Sequence, residues 1–412
     1  MPSRRDVLKA SMVMTAAAVA TGAAQRTGPR VAVIGAGAFG GWTALELVRR
    51  GARVTLIDAW GPGNVRASSG GETRVIRAVY GTRPIYTRMA QRAFELWRAH
   101  DQKFERRFFH KTGGLWMFGA DASFGKASAD ALAAAKLPFE WLTAADLAKR
   151  FPQISNAGIT TALWEPEAGY LLARRACEHV AERVVAEGGA YRQGAVRSPV
   201  RADGGRLGSV TLDDGSAVEA DAFVFACGPW LGTLFPDVIG EFVKPTRQEV
   251  YYFGTPAGDR RFEDGQMPVW IDFGDRLLYG IPGNTQRGFK LADDTSGPAF
   301  DPTNGSRDLA AAGVEWARKY LAARFPALAN APFLGGEVCQ YEASPDSHFI
   351  VDAHPGAPNV WLVGGGSGHG FKMGPAMGEI VAGAVLGASK PDPTFQIARF
   401  RRSTGPLAEK WS

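Results

Sequence analysis

Val31-Ala32-Val33-Ile34 is a short apolar run rich in β-branched residues. With no polar position inside it, the run predicts a strand buried on both faces. After Gly35-Ala36-Gly37-Ala38-Phe39-Gly40 the period changes, and Trp42, Ala44, Leu45, Leu47 and Val48 recur at helical spacing. A second run, Arg53-Val54-Thr55-Leu56-Ile57, ends in Asp58. The same order returns near the other end of the chain. There Asn359 to Val363 reads as a buried strand, Gly364 to Gly370 is glycine-dense, and a small-residue helix begins near Pro375. Ala222 to Ala226, before Gly228-Pro229-Trp230, reads as another strand of the first unit, with Trp230 capping the sheet. The middle of the chain, about 109–159 and 242–332, shows alternating stretches such as Gln248-Glu249-Val250-Tyr251-Tyr252-Phe253, the pattern of a sheet with one covered face.

Strand, G-x-G-x-x-G, helix, strand and acid together form a dinucleotide-binding fingerprint. Gly35 permits the tight turn, Gly37 lets backbone approach a pyrophosphate, and Gly40 lets helix pack on strand. The helix N-terminus favours the phosphate charge, and Asp58 can accept from ribose hydroxyls. This motif does not separate NAD from FAD. The next segment favours FAD: Ala67 to Arg77 is a polar, glycine-broken loop ending in Arg74 and Arg77. If that segment is helical, the two arginines, three residues apart, project to one side.

Composition narrows the classes. The 412 residues are 45% hydrophobic and 21% charged, enough for one large or two intertwined domains. The net charge of +6 is spread along the chain, with no basic tail or aromatic–basic cluster, so nucleic-acid binding has little support. Three scattered thiols (Cys177, Cys227 and Cys339) imply no disulfide framework. The six histidines show no metal-ligand spacing, so no metal site is expected. At the N-terminus, Ser3-Arg4-Arg5 and the mild Ala-rich run up to Ala24 form a twin-arginine pattern too short and too weakly apolar for an anchor. Residues 1–24 are therefore expected to be a cleaved signal. The protein would then be periplasmic, exported already folded, with no stable membrane insertion.

Two lysines sit in chemically suggestive places. Lys290, in Gly288-Phe289-Lys290-Leu291, has apolar neighbours on an expected strand, and Lys372 follows the second glycine turn. Cys339-Gln340-Tyr341 precedes Ser344-Pro345-Asp346-Ser347-His348. These motifs, with Gly71-Glu72-Thr73-Arg74 and Gly368-His369-Gly370-Phe371-Lys372, resemble the monomeric sarcosine oxidase and N-methyltryptophan oxidase family of flavin amine oxidases. The resemblance runs from about Arg30 to the 380s.

The resemblance implies an α/β (α+β) fold, with a Rossmann-like FAD-binding domain interwoven with a mixed or antiparallel-sheet substrate domain. On that basis residues 30–108, 160–241 and 333–390 are expected to bind FAD. Residues 109–159 and 242–332 are expected to cover the substrate, and 391–412 to form a tail. The resemblance also implies roles. Cys339 would join the flavin covalently, Lys290 would sit where oxygen is activated, and Arg74 would lie against the flavin ring. Arg77 and Lys372 would clamp a substrate carboxylate, with Tyr279 and Tyr341 lining the cavity. Gly35, Gly37, Phe39, Gly40, Asp58, Ser68, Thr73, Val196, Gly368, His369, Gly370 and Lys372 complete the expected cofactor contacts.

Three positions depart from the family pattern. Gly70 replaces a histidine and leaves room; Asp294 also replaces a histidine; Trp270 stands where the sarcosine enzyme has a smaller side chain. Trp270 and Asp294 are expected to shape the pocket, the acid favouring a basic or polar substrate side chain. Cys177 and Cys227 are expected to be packed thiols. The expected activity is oxidation of a secondary or N-substituted amino acid by a monomer, yielding an imine and hydrogen peroxide from oxygen. A dehydrogenase with another electron acceptor, or a flavin-binding module without turnover, remain the alternatives.

Overall fold

The computed structural model describes residues 27–401 apart from positions 203, 275, 285 and 286. The twin-arginine segment and residues 402–412 lie outside the described residues. The apolar run at Arg30–Ile34 forms a strand at the centre of a six-stranded sheet. It pairs in parallel with Arg53–Asp58 on one side and Ala222–Phe225 on the other. Burial on both faces explains why it carries no alternation. Ala190–Gln193 and Ala357–Gly364 extend the sheet in parallel, and Ile350–His354 closes one edge antiparallel. The helices Ala38–Arg49 and Gly374–Val385 pack together against this sheet. They approach closely because a Cβ on Gly378 would lie 2.7 Å from the Trp42 carbonyl oxygen.

A second, eight-stranded sheet gathers the alternating middle of the chain. Its strands run in the order Phe333–Ala343, Lys244–Phe253, Phe289–Asp293, Leu277–Ile281, Val269–Phe273, Gly114–Phe118, Thr161–Glu165 and Glu140–Thr143. Thr161–Glu165 and Phe333–Ala343 were expected in the nucleotide unit; both hydrogen-bond into this second sheet instead. Phe333–Ala343 pairs along its length with Lys244–Phe253, so Cys339 and Tyr341 stand on the substrate-side sheet. The stretch 109–159 also holds two helices, Ser123–Ala134 and Ala144–Arg150.

The pleat of this sheet sorts its side chains. Trp270, Leu278, Phe289 and Leu291 face a core completed by Leu321 and Phe325. Tyr252, Tyr279 and Ala292 pack on the opposite face, and Lys290 joins them through its register with Tyr252. A three-stranded sheet of Thr73–Ile76, Gly169–Leu172 and Phe109–His110 lies between the larger two in sequence and carries Arg74. Among the described residues no helix is long and apolar enough to cross a membrane.

Candidate active site

The glycine turn after Ile34 has the geometry its spacing predicts. Gly35 has φ +105°, and a Cβ on Gly40 would lie 1.8 Å from the Gly35 carbonyl oxygen. Gly40 therefore serves packing and does not line the adjoining cleft. Gly37 differs, because a Cβ there would meet only the Ser69 hydroxyl at 3.4 Å. The protein itself does not demand glycine at 37; a ligand close to the backbone would. Asp58 accepts from the amides of Ala36 at 2.8 Å, Trp60 at 3.0 Å and Gly61 at 2.8 Å. Burial still raises its pKa above the ordinary aspartate value.

These residues open onto a long cleft with about 1350 Å³ of empty space, part of it exposed to solvent. Gly35, Gly37, Phe39, Asp58, Ser68, Arg74 and Val196 line it from one side, and Tyr341, Gly366, Gly368 and Gly370 from the other. The two glycine turns thus converge on one space. His369 turns its ring away: Nε2 lies 2.9 Å from the Ser347 carbonyl oxygen, and the ring stacks on Phe349. Thr73 stands behind the wall, where its carbonyl has a different use.

That carbonyl accepts from two cations. The Lys290 ammonium donates to it at 3.0 Å and Arg74 Nη1 at 2.8 Å. Arg74 Nη2 also donates to the Ser68 carbonyl and lies 3.4 Å from the Cys339 sulfur. Lys290 is only 1% exposed. Burial, with the Arg74 charge beside it, pushes its pKa down to about 7. This is a bias of several kcal/mol against the ammonium.

A second pair of cations meets on Tyr80. The Lys372 ammonium donates to the Tyr80 hydroxyl at 3.1 Å and to the His369 carbonyl at 2.8 Å. The Arg77 guanidinium lies 4.3 Å from the Tyr80 ring centre and 4.9 Å from that of Trp116, and donates to the Val79 carbonyl. The helical projection of Arg74 and Arg77 to one side is not what forms. Residues 73–76 are a strand that ends before Arg77, so no helical turn brings the two side chains to one side. Each arginine accordingly belongs to a different pair.

Tyr279 and Tyr341 are half-buried beside the first pair, Tyr279 with its ring centre 5.8 Å from the Lys290 ammonium, and desolvation raises the pKa of both. The Tyr341 hydroxyl donates to Asp294 at 2.7 Å, and the Asp294 amide is fixed on the Leu277 carbonyl at 2.8 Å. Asp294 therefore orients a tyrosine of the site. Trp270 does not line the pocket. It is fully buried on the far face of the sheet, its ring 6.0 Å from Phe289 and 4.9 Å from Phe325. Gly70 leaves no room either, since a Cβ there would lie 1.8 Å from the Asn64 carbonyl oxygen.

The model of the FAD dependent oxidoreductase family matches residues 30–384. The chain belongs to this family. Its relatives include the monomeric sarcosine oxidase of Bacillus sp. (strain B-0618), 28% identical over 86% of this chain and 92% of that one. The N-methyl-L-tryptophan oxidase of Salmonella heidelberg (strain SL476) is 30% identical over 90% of this chain and 97% of its own. Among solved structures, L-proline dehydrogenase from P. horikoshii has the same fold, with TM-score 0.78, 22% identity, and 91% and 98% of the two chains covered. A modified fructosyl peptide oxidase from Aspergillus nidulans superposes with TM-score 0.80 at 20% identity, covering 93% and 96%.

The residues present fit FAD. The open backbone at Gly37 and the buried Ser68 hydroxyl, which has no protein partner, both face the cleft. Several site residues carry no sequence signal of their own. Ser69 accepts from the Ala38 amide at 3.2 Å and closes the first turn of the helix. Cys227, read from sequence as a packed thiol, lines the cleft and donates to the Ile34 carbonyl at 3.4 Å. Trp230 stands at the cleft wall against Trp60, ring centres 4.8 Å apart. Glu165 accepts from the Ala78 amide and is pushed up to about 7 by burial, with Arg77 and Lys372 opposing that shift. Among the described residues no group of His, Cys, Asp and Glu could hold a metal ion.

Proposed function

We propose that this FAD-dependent oxidoreductase, which acts on CH–NH bonds, is an oxidase of secondary or N-substituted amino acids. The observation that carries the reading is the gathering of cations at two places, Lys290 with Arg74 on the Thr73 carbonyl and Lys372 with Arg77 on Tyr80, with Tyr279 and Tyr341 beside the first. When bound, FAD supplies the two-electron acceptor. Arg77 and Lys372 take the substrate carboxylate, using charge already gathered around Tyr80. Tyr279 and Tyr341 wall the amine and exclude water, and Asp294 fixes Tyr341. Lys290 and Arg74 hold positive charge at the opposite side, where electrons pass to oxygen; such preorganised charge lowers the barrier without reorganisation. The net reaction moves two electrons and two protons from the C–N bond to oxygen, giving an imine and hydrogen peroxide. Water then converts the imine to amine and carbonyl products.

Cys339, with the Arg74 guanidinium on its sulfur, is the proposed point of covalent attachment. The twin-arginine pattern supports periplasmic export, and the relatives named monomeric support a monomer. The test is direct. Acid-precipitated protein should stay yellow, Cys339→Ala should lose the colour, and N-alkyl amino acids should yield peroxide in air. A colourless wild-type precipitate would sink the covalent link. Substrate-driven bleaching without peroxide would sink the oxidase reading in favour of another acceptor.

A further inference from the structure

Glu342 is a carboxyl group in the wall of a cleft that receives an anionic dinucleotide. It follows Tyr341 on the strand Phe333–Ala343 and lines the cleft together with Gly366 and Cys227. Only 6% of the residue is exposed. Oε2 accepts from the Gly366 amide at 3.4 Å and the Gly365 amide also lies close to the carboxyl, while Oε1 is buried with no partner at hydrogen-bond geometry. The second glycine turn is shaped around this group, since a Cβ on Gly364 would lie 2.2 Å from Oε1. Its surroundings hold no compensating cation. Of the titratable groups in the cleft, the Cys227 thiol feels the charge of Glu342 together with that of Asp58, the Tyr341 hydroxyl is engaged by Asp294, and Ser344 and Ser367 pair with each other. Among the described residues Glu342 enters no salt bridge. Arg74, the cation of the cleft wall, is engaged with Ser68, Thr73 and Cys339.

We propose that Glu342 holds the dinucleotide as a neutral carboxylic acid, with the proton on Oε1 donated to an acceptor oxygen of the cofactor. This rests on the reading of the cleft as the FAD site. An ionised carboxylate in a cleft that takes an anionic dinucleotide would face like charge in a buried setting, whereas the acid turns an orphaned oxygen into a donor. Burial pushes the Glu342 pKa up to about 7 against the opposing pull of the Gly365 and Gly366 amides, and the negative charge of a bound dinucleotide would raise it further.

The test measures FAD affinity by flavin-fluorescence quenching in the full chain carrying Cys339→Ala, so that binding is reversible, between about pH 6 and about pH 9. With Glu342 intact, affinity should fall by at least tenfold towards the upper end, roughly tenfold per unit above the free-protein titration, levelling off only past that of the bound state. Glu342→Gln keeps a neutral donor in the same shape, so it should bind tightly at the lower end and show no such fall. Equal pH dependence in both chains overturns the proposal. So does Glu342→Gln binding at least tenfold more weakly than the parent at the lower pH, because an ionised Glu342 would then be required. Absence of FAD binding at every pH with Glu342 intact would instead remove the cofactor reading itself.

Discussion

The two buried cation pairs use the same residue types and reach opposite electrostatic ends. Lys290 and Arg74 share one backbone carbonyl, that of Thr73, and no carboxylate lies within ion-pair distance of either among the described residues. Lys372 and Arg77 instead share an aromatic ring, that of Tyr80, with Glu165 close enough to influence the site. On the proposed function, the first pair is desolvated charge that would meet negative charge appearing only during turnover. The second would receive charge that the substrate brings with it. Burial alone does not tell an electrostatic catalyst from a binding clamp; the immediate partner does.

The largest effect on substrate affinity lies in the clamp. Lys372→Met should raise KM for N-alkyl amino acids roughly 10- to 100-fold, the scale of one charged hydrogen bond, and barely affect amines without a carboxylate. Equal losses for both substrate classes, in steady-state assays, would remove the clamp from the account. A smaller effect separates the pairs by pH. Lys290 releases its proton near 7 in the fold, against 10.5 for an ordinary lysine. The unfolded chain therefore carries an extra proton between those values, and this term makes stability rise with pH across that window. The stability gained by Lys290→Met over wild type should accordingly be greatest near neutrality and shrink as pH rises, as chemical denaturation would measure. A constant difference would mean that Lys290 is not desolvated. The smallest catalytic effect belongs to Trp270→Phe. It should cost about 1–3 kcal/mol of stability through loosened packing and leave the order of preferred substrates unchanged. A reordered substrate panel would return Trp270 to the pocket.

The glycine turns were legible because their requirements are local. Gly35 takes its positive φ within the turn itself, and the close contact at Gly40 is with the Gly35 carbonyl five residues away. Lys290 and Tyr279 were readable only through motif resemblance, since the sequence does not state which face of a strand is covered. That ambiguity also misplaced Trp270, whose register partner Gly280 sets its ring on the far side from Lys290. Arg74 and Arg77 were misjudged by assuming a helical period where a strand forms. The expected boundaries near 160 and 333 missed because strand pairing between segments far apart in the chain decides sheet membership, as in Gly114 with Glu165 and Gln248 with Cys339. Glu342 and Glu165 gave no signal at all. A carboxylate reads as solvated surface until the fold takes it from water.

The central claim is that Lys290 serves oxygen and Lys372 serves substrate. Stopped-flow absorbance of the flavin resolves both halves of the cycle: reduction by substrate without oxygen, then reoxidation in air. Lys290→Met should slow reoxidation roughly a hundredfold or more, the loss expected for one preorganised charge, and change reduction far less. Lys372→Met should weaken substrate reduction and leave reoxidation near the wild-type rate. If both variants slow both steps alike, the two cation pairs do not have separate functions and the account is wrong.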